Sequence, residues 1–128
     1  MIREPQNNDL HVFLAEAEQN GLVLADVEAA CLTLGVGSSV LLSRLSVEVA
    51  EGFLSGTLAF ETCSSIMNGI ANAIFDLGMT GEFPQPALSL YQAFDQGEWG
   101  RIDDPETSRP SEQYTRPRVV EILRGLQG

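Results

Sequence analysis

The side chains with chemistry to offer are mostly carboxylates. Asp95 and Glu98 stand three residues apart, and Asp103, Asp104 and Glu106 follow closely. Such a group suits a hard cation held through oxygen, or general acid–base work in a dry cleft. The spacing is not that of an EF-hand loop, and a solvated acidic rim is the simpler reading. His11 lies between Leu10 and Val12, with no cysteine or second histidine at ligand spacing. Cys31 and Cys63 match no zinc or dithiol motif and read as two small buried thiols. Gly35-Val36-Gly37 lacks the third glycine and the preceding strand of a phosphate cradle. No GxGxxG, GxxxxGK[ST] or HExxH occurs. The expectation is a protein with no catalytic set, metal site or cofactor, which acts by binding.

Charge says what it would bind. The chain has 128 residues and a net charge of −11, with 18 acidic residues and 7 arginines but no lysine. Between Arg44 and Arg101 there is no basic residue, while Glu48, Glu51, Glu61, Asp76, Glu82, Asp95 and Glu98 all fall there. The tail from Arg101 onward is balanced, so the net charge belongs to the first hundred residues. Such a field repels nucleic acid and anionic membrane and attracts basic surfaces. Acidity also serves plain solubility. Carboxylates at the end of a helix oppose its dipole, so Asp95 and Glu98 want a cation or an arginine. Arg101 is the nearest candidate within the chain. The cluster Tyr91, Asp95, Glu98 and Trp99 combines aromatic anchors with charge, as tight interfaces do. Its structural alternative is that Tyr91 and Trp99 complete the core and clamp the following loop. Arg116 and Arg118 are expected to face the 95–106 carboxylates. The candidate partner-binding residues are therefore Glu82, Tyr91, Asp95, Glu98, Trp99, Asp103, Asp104 and Glu106.

The elements that must position these residues are helical. Leu10, Phe13, Leu14 and Ala17 follow a helical stripe after the capping pair Asn8-Asp9, and Asn20-Gly21 stops it. Leu24, Val27, Cys31 and Leu34 make a second stripe, closed by Gly35. A third helix is predicted from about 40 to 54, although Val40, Val47 and Val49 leave a strand open there. Residues 58–77 are apolar on two faces, one with Cys63, Ile66, Ile70 and Ile74, the other with Phe60, Met67, Ala71 and Phe75. A helix apolar nearly all round belongs in the middle of a bundle, and Gly78 then Gly81 are expected to end it. Pro84 and Pro86 start a fifth helix, where a missing N–H costs little. Residues 97–114 read as a long ordered loop, before a last helix from about Thr115 with Val119, Ile122, Leu123 and Leu126 inward.

The predicted fold is all-α, one domain over residues 1–128, an irregular bundle of five to six helices around segment 58–77. Its length suits a single core. No apolar run nears the ~18 residues of a membrane span, and the first residues lack a secretory pattern, so a cytoplasmic location is expected.

The segments Tyr91-Gln92-Ala93-Phe94-Asp95-Gln96-Gly97-Glu98-Trp99 and Tyr114-Thr115-Arg116-Pro117, joined by an acidic loop, cover about the last third of the chain. That part resembles small bacterial immunity proteins of polymorphic-toxin and contact-dependent growth-inhibition systems. The resemblance implies a non-enzymatic cytosolic antidote that binds a cognate toxin and covers its active site or substrate face. It carries no site residue over by motif. Acidity fits a basic, nuclease-type toxin, since complementary charge speeds encounter. The expected partner is thus a protein toxin, with no direct nucleic acid or membrane binding, and the chain a monomer or weak homodimer. The alternatives are a structural or regulatory adaptor, perhaps a homodimer, and an acidic nucleic-acid mimic that inhibits a DNA- or RNA-binding protein.

Overall fold

The computed structural model describes residues 7–98 and 109–127. These form α1 (Asn7–Gln19), α2 (Leu24–Leu34), α3 (Ser38–Ser55), α4 (Phe60–Thr80), α5 (Ala87–Gln96), a π-helical turn (Ser111–Thr115) and α6 (Arg116–Gln127). No strand occurs among the described residues. The all-α bundle is as expected, and α4 sits at its centre, packed against α1, α2, α3 and α5.

The first two helices follow the apolar stripes. Leu10, Leu14 and Ala17 of α1 are buried, as are Val27, Cys31 and Leu34 of α2. Gly35 closes α2 with φ +74° and gives its N–H to the Cys31 carbonyl, a left-handed cap that costs glycine little. After α1 the chain crosses onto α4, where Leu22 N–H donates to the Gly69 carbonyl at 2.7 Å.

The open question over residues 40–54 resolves as helix. Leu41, Leu42, Leu45, Ser46, Val49, Ala50 and Phe53 are buried on one face, a period near 3.6 that no strand could bury together. Val40 is exposed and Val47 half-buried, so β-branching at these positions is overridden by packing elsewhere on the helix. The buried Ser46 hydroxyl donates to the Leu42 carbonyl at 2.8 Å and is thereby satisfied, whereas the buried Ser43 Oγ on the same helix has no hydrogen-bond partner among the described residues.

In α4 the expectation is refined at two points. The helix runs through Gly78 to Thr80, and it is Gly81, the second expected stop, that follows its last residue. The second apolar face is also divided: Met67 and Ala71 are buried, Phe60 is half-buried, and Phe75 is exposed. Tertiary packing covers the N-terminal part of that face and leaves its C-terminal end open.

α5 begins behind Pro86, and the carbonyls of Pro84 and Pro86 accept the N–H groups of Leu88 and Leu90 at 2.9 Å each. Its buried stripe is Ala87, Leu90, Ala93 and Phe94. Phe94 meets Phe53 of α3 edge-on at 5.4 Å, and Phe60 at 6.3 Å, forming an aromatic centre between α3, α4 and α5.

The expected loop over 97–114 is shorter at its far end. Residues 111–115 are already wound as the π-helical turn that runs into α6, so the last helical segment starts before Thr115. The reason is a tertiary bond invisible to periodicity: buried Thr115 donates from Oγ1 to the Ala93 carbonyl at 2.7 Å. In α6 Val119 is buried, Ile122 and Leu123 pack partly against the core, and Leu126 is exposed rather than inward. No single helix among the described residues is long and apolar enough to cross a membrane.

Candidate partner-binding surface

α5 runs beside the C-terminal half of α4, which places Tyr91 against Phe75. Their rings meet perpendicular at 5.6 Å, and Phe83 meets Phe75 from the other side at 6.1 Å. Half-buried Tyr91 is thus one end of a row of three aromatic rings. Phe75 is 40% exposed, Phe83 42% and Met79, one turn further along α4, 83%. Apolar side chains gathered in this way on a surface mark an interaction site more often than isolated ones do.

Carboxylates adjoin the row along the chain: Asp76 follows Phe75, Glu82 precedes Phe83, and Asp95 lies one turn beyond Tyr91. All three are exposed, and Glu82 sits in the turn before α5. Asp95 and Glu98 come together as their spacing suggests. Asp95 is held above the usual carboxylate range, first by desolvation, then by the charge of Glu98 and a hydrogen bond to it. Tyr91 is pushed up as well, by desolvation first and then by the charges of Asp95 and Glu98. Tyr91, Asp95 and Glu98 therefore share one electrostatic environment. Glu98, however, turns back onto α4, where its carboxylate accepts hydrogen bonds from Ser64 Oγ and from Asn68 Nδ2, the latter at 3.2 Å. It ties the end of α5 to α4 and leaves Asp95 as the outward carboxylate.

Among the described residues Arg116 and Arg118 pair within their own helical segment. Arg116 bonds Glu112 one turn earlier, with its Nη2 3.2 Å from Oε1, and its guanidinium lies 4.6 Å from the centre of the Phe53 ring. The pair holds Glu112 below the usual carboxylate range, chiefly through that hydrogen bond. Arg118 bonds Glu121 at 2.9 Å. The i,i+3 and i,i+4 spacings of these pairs make their side chains neighbours on one helical face. Trp99, Arg101, Asp103, Asp104 and Glu106 lie outside the described residues.

The remaining candidates for chemistry separate. Cys31 and Cys63 are free and buried, as expected. Burial pushes the Cys63 thiol up to about 12, and its Sγ lies 3.8 Å from the Val49 carbonyl. His11 is exposed on α1, far along the chain from both. No group of three or more His, Cys, Asp or Glu among the described residues is placed to hold a metal ion.

Sequence reasoning missed Phe75, Met79 and Phe83 as surface residues. Phe75 fell on an apolar stripe and was assigned to the core, and Phe83 and Met79 belonged to no stripe. The available signal was an apolar pair around Gly78 and Gly81, ahead of two prolines, more hydrophobic than a solvated turn requires. Compared with known proteins, the chain matches no family model, no curated protein and no solved structure.

Proposed function

We propose that this protein is a non-enzymatic binding protein that neutralises a basic protein partner. In the reading its sequence resemblance implies, it is an immunity protein that covers the active site or substrate face of a cognate nuclease-type toxin. The observation that carries the binding reading is the row of exposed Phe83 and Phe75 with half-buried Tyr91, joined by exposed Met79, with the exposed acids Asp76, Glu82 and Asp95 adjoining it along the chain. Aromatic and methionine side chains supply buried anchors, and the acids beside them select a basic partner and speed encounter. No arginine falls between Arg44 and Arg101, so nothing on α4 or α5 opposes such a partner.

The test is to read the neighbouring open reading frames and co-express this chain with any toxin domain they encode, followed by pull-down and a growth-protection assay. Protection and a one-to-one complex that associates more slowly at high salt are expected. Absence of both rejects the proposal. Met79→Glu and Phe83→Ser should each weaken the complex about tenfold or more, as loss of an interface anchor does.

The same apolar row favours one second reading, an adaptor that pairs with another copy of itself through this face. Light scattering over a dilution series separates the two. A monomer at all concentrations fits the antidote, and a dimer abolished by Met79→Glu fits the adaptor.

A further inference from the structure

On the other side of the bundle a groove of about 630 Å³ opens between α1, the C-terminal half of α3 and the start of α4. Its floor is apolar, made by Leu14, Ala15, Leu58 and Ile66. Leu58 occupies the space that a side chain on Gly52 would need, so glycine at that position lets the 56–59 turn close down onto α3. That turn is pinned: Leu58 N–H, Ser55 Oγ and Thr57 Oγ1 all donate to the Gly52 carbonyl, at 3.0, 3.2 and 3.2 Å. The wall is therefore fixed, and its own polar groups are satisfied.

The carboxylates above the floor are not. Glu18, Glu48 and Glu51 line the groove. Among the described residues none of the three makes an ion pair or hydrogen bond. Glu48 is half-buried, and Glu18 and Glu51 are exposed. Arg44, one turn earlier on α3, does not pair with it. The other ionisable side chain in the groove is His11, exposed on α1.

We propose that this groove binds a small amphiphilic organic cation. An ammonium or guanidinium group would sit between Glu48 and Glu51, and its aliphatic or aromatic body would lie on Leu14, Leu58 and Ile66. Each feature selects part of that chemistry. The unpaired carboxylates reject anions and leave a neutral ligand without its strongest contact. A bare inorganic cation leaves the apolar floor unused, and no three carboxylates are placed to chelate one. The volume lies within the range of small-ligand sites, roughly 300–1,000 Å³. A partner helix about 10 Å across would fill it in under two turns. The site is separate from the α4–α5 surface and does not depend on the function proposed for it.

The test is a titration of the isotope-labelled protein with phenethylammonium at low salt, followed by amide chemical shifts. Saturable shifts over residues 11–18, 48–58 and 62–66 are expected. The neutral isostere 2-phenylethanol and the tail-less methylammonium should each bind about tenfold more weakly or worse. Ala15→Trp, which places a ring in the groove from an exposed helix position, should abolish binding with the helical circular dichroism unchanged. Glu48→Gln, which keeps side-chain volume, should weaken it about tenfold and serves if Ala15→Trp does not fold. The proposal is overturned by unsaturable shifts, by equal binding of 2-phenylethanol or methylammonium, or by undiminished binding in a folded Ala15→Trp or Glu48→Gln. Shifts produced by a lysine-bearing helical peptide but not by phenethylammonium would also overturn it and make the groove a protein-docking site.

Discussion

The ring of Phe83 occupies the space that a Cβ on Gly78 would require. A glycine that reads in the sequence as a helix stop is in fact inside α4, where its bare backbone seats one member of the exposed aromatic row. Gly78→Ala should therefore separate two effects. Alanine gains up to about 1 kcal/mol of helix propensity, and the displaced ring, already partly exposed, moves away at modest cost. Stability should change by less than about 1 kcal/mol. The ring-to-ring nuclear Overhauser contacts between Phe75 and Phe83 should vanish, and partner affinity should fall. Retention of those contacts would mean that Phe83 is not seated on Gly78.

Gly69 should behave in the opposite way. A Cβ there meets the Ala17 backbone carbonyl, which cannot swing aside as a side chain can, and the Leu22 N–H bond to Gly69 would be disturbed with it. Gly69→Ala is expected to destabilise the fold by about 3 kcal/mol, the upper end for overpacking. Gly125→Ala on α6, which meets nothing, should be neutral or stabilising by up to about 1 kcal/mol. Urea unfolding of the two variants side by side is the measurement.

The bond from Thr115 Oγ1 to the Ala93 carbonyl holds the π-helical turn onto α5. Thr115→Val keeps the shape and removes the donor from a buried site. A loss of about 1–2 kcal/mol is expected, read as a lowered urea midpoint with the slope unchanged.

Asp95 supplies a pH test. Its carboxyl is raised in the folded state, so the native protein binds more protons than the unfolded chain between the ordinary carboxylate value and the raised one. Stability contributed by this group is thus present at low pH and lost as pH rises through that window. Asp95→Asn should stabilise the fold slightly near pH 7, by less than about 1 kcal/mol because the group is exposed, read as a small rise in melting temperature. The advantage should disappear near pH 3. A benefit that persists unchanged in acid would disprove the account.

Both thiols should be silent in the folded protein. Cys31 and Cys63 are raised, first by burial, and Cys63 reaches about 12. Ellman's reagent at pH 8 should label neither at an appreciable rate, and both should react once urea unfolds the chain. Fast labelling of one cysteine under native conditions would show local opening at α2 or α4.

By itself the sequence determined the helices that carry a regular apolar stripe. Leu10, Leu14 and Ala17, or Val27, Cys31 and Leu34, state their own period, and glycines 21 and 35 state their ends, because both signals are local. The central place of residues 58–77 was legible too, since a helix apolar on two faces has to be covered on both. Composition likewise told of an acidic surface free of basic residues between Arg44 and Arg101.

What only the tertiary structure decided was which apolar residues remain uncovered. Phe75 belongs to a stripe as good as that of Met67 and Ala71, yet at its end of α4 the rings of Tyr91 and Phe83 cover it only in part, and it stays exposed. Periodicity reports the face of a helix and not whether a neighbour lies over it. Pairings between distant segments were equally out of reach: Glu98 with Ser64 and Asn68, Thr115 with Ala93, Phe83 with Gly78. Arg116 pairs locally with Glu112, at an i,i+4 spacing that the sequence itself offers. Long-range contacts depend on how helices cross, and that angle is set by the whole core at once rather than by any one segment.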